Sequence, residues 1–210
     1  MVSADQFKSL LLHHLGGHFR LNEYHLERLE EYFLLLQKWN KKINLTSIEK
    51  VEEIIIRHFC ESIALANTLP FAKLRVMDVG SGAGFPGIPL AIVRPDCFIY
   101  LVEVDARKAV FLKEASLRLM NVIVLKQRIQ TVEQQTEWIV CRGVNWVEIK
   151  DEVSRLAEHV ALMIGEDSVS TISSTEFVEW EPPTRSPWGD HRVILVGHMP
   201  GVASVPRGTS

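Results

Sequence analysis

Residues 75–92 read RVMDVGSGAGFPGIPLAI. Val76, Met77 and Val79 surround Asp78 in a short apolar run, the pattern of a buried strand. Gly80, Gly82 and Gly84 follow at every second position, then Phe85, Pro86, Gly87 and the apolar turn Ile88, Leu90, Ala91 and Ile92. Glycine lets a ligand approach the backbone closely. Proline at the first helical position loses no hydrogen bond, because that N–H is unpaired anyway. The stretch predicts strand, tight glycine loop and helix, with free loop N–H groups aimed beyond the strand's C-terminal end.

Such a loop makes a nucleotide site at the edge of a parallel sheet. Two nucleotide patterns fit. Gly82, Gly84 and Gly87 satisfy G-x-G-x-x-G, with Glu103 about 20 residues on, where a ribose-binding acid belongs. Asp78 with Gly80, Gly82 and Gly84 satisfies D-x-G-x-G-x-G, which resembles the first motif of S-adenosylmethionine-dependent methyltransferases. No G-x-x-x-x-G-K-[ST] run is present, which argues against a P-loop. A ligand-free turn is disfavoured, because the later acid and the strand-then-helix context agree.

Downstream of the loop, strands and helices alternate, which predicts a parallel α/β sheet. Residues 97–103 (CFIYLVE) predict a second strand, with Glu103 at its C-terminal end to accept both ribose hydroxyls. Residues 106–119 predict a helix with Ala109, Leu112, Ala115 and Leu119 inward. Residues 122–125 predict a third strand, and Ile129-Gln130 opens the next helix, beside the site if strand three neighbours strand two. Residues 138–141 and 160–164 predict further strands, with Arg142 at the tip of the first. Residues 174–180 and 191–197 read as a closing hairpin around the turn-rich loop EPPTRSPWGD.

Upstream, Leu26, Leu29, Phe33 and Leu36 are spaced 3, 4, 3 along one amphipathic helix, and Trp39 continues that side. Asn44 and Thr46 favour caps and turns, and another helix is expected over 49–67. The expected organisation is an N-terminal helical extension at 1–74, an α/β domain at 75–198 and a loose tail at 199–210.

The 210 residues and 47% hydrophobic content suit a globular chain with a sizeable core. No apolar run reaches a membrane span, and the N-terminus lacks a signal-peptide pattern. Cys60, Cys97 and Cys141 are odd in number and far apart, so reduced thiols in a cytoplasm are expected, with no disulfide frame and no zinc site. His14 and His18 flank Gly16-Gly17, which argues against a helical metal pair. No membrane partner is expected, and a monomer is favoured.

Net charge is −3, unevenly placed. Residues 137–210 hold six Lys/Arg against eleven Asp/Glu, whereas residues 107–142 hold seven Lys/Arg against three acids. A basic strip can meet phosphates, although charge alone favours a solvated helix face with local ion pairs.

The sequence resembles the bacterial small-subunit (16S) ribosomal RNA guanine-N7 methyltransferases, also called the glucose-inhibited division protein B family. The likeness spans roughly 20–198. It rests on W-N-x-x-x-N-L-T (Trp39, Asn40, Asn44, Leu45, Thr46), R-H-x-x-x-S (Arg57, His58, Ser62) and D-V-G-S-G-A-G-F-P-G-I-P-L at 78–90. It implies a Rossmann-like methyltransferase sheet, S-adenosyl-L-methionine as cofactor, and a guanine of small-subunit ribosomal RNA near the decoding site as target, in free RNA or in the small ribosomal subunit. The implied cofactor contacts fall on Gly80 and Phe85, on Ile129-Gln130 and on Arg142, joining Gly82, Gly84 and Glu103 from the reading above. Asn40, Asn44, His58 and Arg142 are the candidates for touching RNA. Asn40 and Asn44 fit a turn-and-cap role equally well, and Lys38, Lys41 and Lys42 add charge beside them.

Three positions depart from the family pattern: Ile129-Gln130 where Val-Glu or Ala-Glu is usual, Cys141-Arg142-Gly143 where S-R-A is usual, and Met163-Ile164-Gly165 where L-K-G is usual. Guanine N7 carries a free lone pair, so its methylation needs alignment and little general-base help. The sequence offers no nucleophile–His–acid set and no metal cluster, so no catalytic residue is assigned. Two alternatives stay open at this point. One is an RNA- or ribosome-binding protein with weak or no catalysis, suggested by Gln130 and Ile164. The other is an NAD-dependent oxidoreductase using Gly82, Gly84, Gly87 and Glu103.

Overall fold

The computed structural model describes residues 4–17, 19–188 and 191–200. His18 and residues 201–210 of the expected tail lie outside the described residues. Helix α1 (Ala4–Leu15) buries Phe7, Leu11 and Leu15, four residues apart on one face. Helix α2 (Glu23–Asn40) starts at Asn22, whose Oδ1 accepts from the His25 N–H at 2.9 Å. It buries Leu26, Leu29, Phe33 and Leu36, the 3-4-3 stripe of the sequence, and adds Tyr32. Phe7 stacks on Phe33 with ring centroids 4.5 Å apart, locking the two helices together.

The helix expected over 49–67 runs from 51 to 68 in three parts: α3 (Val51–Ile54), a π-helical turn (Ile55–Cys60) and α4 (Glu61–Thr68). A π-turn inserts extra backbone and re-aims side chains, and such turns recur at functional sites. Here it carries Arg57 and His58.

The expected strand, loop and helix follow as β1 (Arg75–Val79) and α5 (Gly87–Val93). Pro86 stands just before α5 rather than within it. Next come β2 (Phe98–Val102) and α6 (Ala106–Ala115), capped by Asp105, which accepts from the N–H groups of Arg107 and Lys108. The sequence extended this helix to 119. It ends at Ser116, whose hydroxyl donates to the Leu112 carbonyl, yet Leu119 is still buried. Strand β3 (Val122–Leu125) is followed by a single 3-10 turn at Ile129–Thr131, shorter than the helix expected there. Then come β4 (Thr136–Arg142), α7 (Trp146–Leu156) and β5 (Ala157–Gly165).

The closing segment differs from the expected hairpin. Residues 169–173 form a short helix, α8 (Val169–Ser173), and only β6 (Glu179–Trp180) is extended within 174–180. The turn-rich loop supplies a further strand, β7 (Thr184–Arg185), and both pair antiparallel with β8 (Arg192–His198).

The sheet order is β3-β2-β1-β4-β5-β8-β6, parallel from β3 to β5, with β7 also on β8. The chain reverses direction across the sheet between β1 and β4. In open α/β sheets ligands bind beyond the strands' carboxyl ends at such a switch point. One face is covered by the N-terminal helices, α5 and α6, and the other by α7 and α8. Arg94 fastens the sheet's far end: its guanidinium donates to the carbonyls of Pro70 and Ala72 and to Asp96. Among the described residues no helix is long and apolar enough to cross a membrane, and no cluster of metal-ligating side chains is present.

Candidate active site at the carboxyl edge of the sheet

The glycine loop crosses the ends of β1 and β2. Gly80, Gly82 and Gly84 have φ of 70°, 56° and 91°. At Gly84 no other residue fits: a Cβ would lie 2.8 Å from Ile88 Cγ1 and 2.9 Å from the Tyr32 hydroxyl. That hydroxyl donates to the Ala83 carbonyl, so α2 clamps the loop from above.

The loop's N–H groups, expected to be free, are mostly engaged. Gly80 and Ser81 donate to the Val102 carbonyl at 3.0 and 3.1 Å, and Gly84 donates to the Ser81 carbonyl at 2.6 Å. Gly82 donates to Glu103 Oε2 at 2.8 Å, and Gly87 donates to Asp78 Oδ2 at 3.0 Å. A tight turn satisfies its own donors where it can, and two carboxylates take what remains. Glu103 is 6% exposed, and its Oε1 also accepts from the Asp105 N–H at 2.8 Å. Each carboxylate oxygen still has a lone pair beyond these bonds. Asp78 is fully buried with Oδ1 unpartnered, and burial, aided by the charge of Glu103, pushes its carboxyl up to about 7.

Phe85 faces inward and is 5% exposed, so this residue builds the loop's floor. His58 lies flat on it, with centroids 4.5 Å apart and planes 15° from parallel. Arg142, the last residue of β4, donates from Nη1 to His58 Nδ1 at 2.8 Å. A guanidinium only donates, so Nδ1 is the acceptor and the imidazole proton sits on Nε2, 2.8 Å from Thr46 Oγ1. Burial first, then the Arg142 charge, lowers His58 to about 3 and keeps it neutral. Burial also pulls Arg142 down to about 10. Its Nη2 is 3.9 Å from Oε2 of Glu61, a carboxylate that also faces Arg192 at 3.7 Å.

The structure thus brings Gly80, Gly82, Gly84, Phe85, Glu103, Arg142 and His58 to one edge. Ile129 and Gln130 stand beside it at the end of β3. The Ile129 side chain is buried in the core under α7, while Gln130 is exposed and donates to the Glu148 carbonyl at 3.4 Å. Asn40 works as an internal turn cap: its Oδ1 accepts from the N–H groups of Leu45 and Thr46. Asn44 and Lys42 are exposed in the same loop, and Lys38 is exposed in the last turn of α2. Within the basic strip Arg118 pairs with Glu31 at 2.9 Å, while Lys113, Lys126 and Arg128 are exposed. Sequence reasoning passed over the clamp by Tyr32, which reads as one more core aromatic of α2. It also passed over Arg192, which meets Glu61 only through the pairing of β8 with β5.

Residues 25–166 match the GidB family, described as rRNA small subunit methyltransferase G. A stretch of 142 residues, 67% of this chain, is 37% identical to the ribosomal RNA small subunit methyltransferase G of Roseiflexus sp. (strain RS-1) and covers 61% of it. The protein of the same name from Nitrosococcus oceani is 42% identical over 125 residues, which are 59% of this chain and 56% of that protein. The matched stretch therefore spans under two thirds of the length of these curated relatives. Among solved structures, a SAM-dependent methyltransferase from Aquifex aeolicus superposes with a TM-score of 0.60 at 17% identity, over 74% of this chain and 96% of that one, a likeness of fold.

Proposed function

This chain belongs to the rRNA small subunit methyltransferase G family, and from that premise we propose that it transfers a methyl group from S-adenosylmethionine to N7 of a guanine in small-subunit ribosomal RNA. The observation that carries the reading is the meeting of glycine loop, Glu103 and Arg142 at one switch point. The residues present suit the cofactor. Glu103 is the acid at the tip of β2, placed to accept ribose hydroxyls on its remaining lone pairs. A Cβ at Gly143 would meet nothing within 4 Å, so there is open space at the tip of β4. The loop backbone at 80–85, Glu103 and the 129–130 turn would hold the cofactor, which supplies an electrophilic methyl group when bound.

The chain's own part is to bind and align. N7 needs no deprotonation, so a neutral His58 and a charged Arg142 suffice as fixed donors and walls. The His58–Arg142 hydrogen bond and the His58–Phe85 stack hold the guanidinium in one place relative to the loop. The proposal extends to residues 1–74 as a helical extension of a catalytic unit at 75–198, working in the cytoplasm beside ribosomes.

The test is methyl transfer from labelled S-adenosylmethionine to small ribosomal subunits that lack their own guanine-N7 methylation. The product is digested and the labelled nucleoside identified. Labelled 7-methylguanosine at one position is the expected result. Absence of label with cofactor binding intact would favour a binding protein on the same fold.

A further inference from the structure

A cavity of about 350 Å³ opens between α4, the end of β5 and the start of β8. It is far larger than the roughly 30 Å³ share of one water. Met163 and Ile194 form its sheet side, Ala64 and Glu61 its helix side, and Arg192 and Ser186 its rim. Three independent features converge here.

The first is register. Arg142 pairs with Met163, and Met163 pairs with Ile194, so the three side chains stand in one row on one face of the sheet. Val79 pairs with Cys141, which sets Gly80 level with Arg142. Neighbouring strands are about 4.8 Å apart and Met163 lies two strands from the glycine loop, so the cavity floor begins roughly 10 Å from that loop along the row.

The second is Glu61. It is 3% exposed, its Oε1 has no hydrogen-bond partner, and its Oε2 is held only loosely between Arg142 and Arg192, at 3.9 and 3.7 Å. A buried carboxylate oxygen without a donor is costly to keep. The third is the cavity wall, where carbon surface from Ala64, Met163, Pro187, Val193 and Ile194 stands among polar residues, as suits a flat ring with a polar edge.

We infer that this cavity receives the target guanine and that Glu61 reads it, accepting from N1–H and from the N2 amino group. The inference rests on the proposed methyltransferase reading and names its specificity element. A carboxylate offers two acceptors side by side, and among the bases guanine presents the matching pair of adjacent donors. Adenine places an acceptor at N1 and is repelled. Binding by this edge leaves N7, on the opposite edge of the ring, free to face the glycine loop. Burial raises the Glu61 carboxyl above its ordinary range, and the charges of Arg142 and Arg192 favour the ionised form against that rise while closing the remaining sides.

The experiment is equilibrium titration of the full chain with GMP, IMP and AMP, with and without S-adenosylhomocysteine. IMP keeps N1–H and N7 and lacks only the amino group. GMP is expected to bind about tenfold more tightly than IMP, with AMP weaker still. In Glu61→Gln the amide meets one donor with another donor, so the GMP–IMP difference falls to twofold or less while affinity for S-adenosylhomocysteine stays. Ala64→Leu, which narrows the cavity without touching the carboxylate, is expected to weaken GMP at least fivefold. Equal GMP and IMP affinities in the wild type, no GMP binding at 10 mM (an upper bound on the order of useful base affinity), or unchanged discrimination in Glu61→Gln each overturn the inference. Failure of the wild type to bind S-adenosylhomocysteine overturns the methyltransferase reading instead, and the titrations without it still judge the pocket.

Discussion

Asp78 Oδ2 accepts the Gly87 N–H at 3.0 Å, tying the middle of β1 to the first residue of α5 beneath the glycine loop. This bond fixes the loop's two ends, so the loop's shape is decided by a buried acid and a residue without a side chain.

Asp78 gives the fold a pH signature. Burial raises its carboxyl from 3.8 to about 7. Between those values the folded chain holds a proton that the unfolded chain releases, so stability falls as pH rises and levels off above about 7. Asp78→Asn removes this dependence while its carbonyl oxygen still accepts from Gly87. Relative to wild type, the variant is expected to gain more than about 1 kcal/mol between pH 4.5 and 8, read from urea midpoints. A constant difference across that range would mean Asp78 is ionised throughout.

Gly87 and Gly143 separate crowding from backbone strain. A Cβ at Gly87 would stand 2.3 Å from Leu101 Cδ2 and 2.6 Å from Asp78 Oδ2, both on fully buried residues. Gly87→Ala is expected to cost at least about 2 kcal/mol and to weaken cofactor binding, because α5 must move. Gly143 has open space but a φ of 67°, so Gly143→Ala is expected to cost only about 1 kcal/mol. Equal losses in thermal unfolding would contradict this assignment.

Much of this arrangement is visible in the sequence because it rests on short-range chemistry. The strand at 75–79, the loop glycines and the acid at 103 lie within one βαβ unit, where spacing alone sets position. The α2 stripe follows from periodicity for the same reason. What the sequence hides depends on contacts between distant segments. The π-turn that aims His58 at Phe85 and Arg142 has no composition signal. Arg192, 131 residues after Glu61, reaches it only through the antiparallel pairing of β8 with β5. The expected free loop donors failed for an opposite reason: local rules give the turn, but the acceptors that fill it come from Val102 and Glu103 on the next strand.

Glu103 is expected to tolerate no amide. Its two oxygens each accept a backbone N–H, from Gly82 and from Asp105, both at 2.8 Å. In Glu103→Gln one N–H is left facing an NH2 group. The variant is therefore expected to lose at least tenfold in S-adenosylhomocysteine affinity by calorimetry, nearly as much as Glu103→Ala. An amide variant with wild-type affinity would take the carboxylate out of the site.

Ile164 lines a cavity of about 530 Å³ under β5 together with Lys150 and Asp167. It is half-buried against the core of the α7 face, so the wild-type residue contributes packing and no charge. A lysine here has an aliphatic stem long enough to cover the same apolar surface while its ammonium reaches the cavity mouth. Ile164→Lys is expected to tighten binding to small-subunit RNA and to steepen the fall of log K with log salt by about one counterion. Filter binding at several salt concentrations measures both. If affinity rises with an unchanged slope, the ammonium meets Asp167 within the cavity and never a phosphate. If neither changes, position 164 lies off any RNA path, and the proposed RNA contact falls to exposed cations elsewhere, such as Lys113, Lys126 and Arg128.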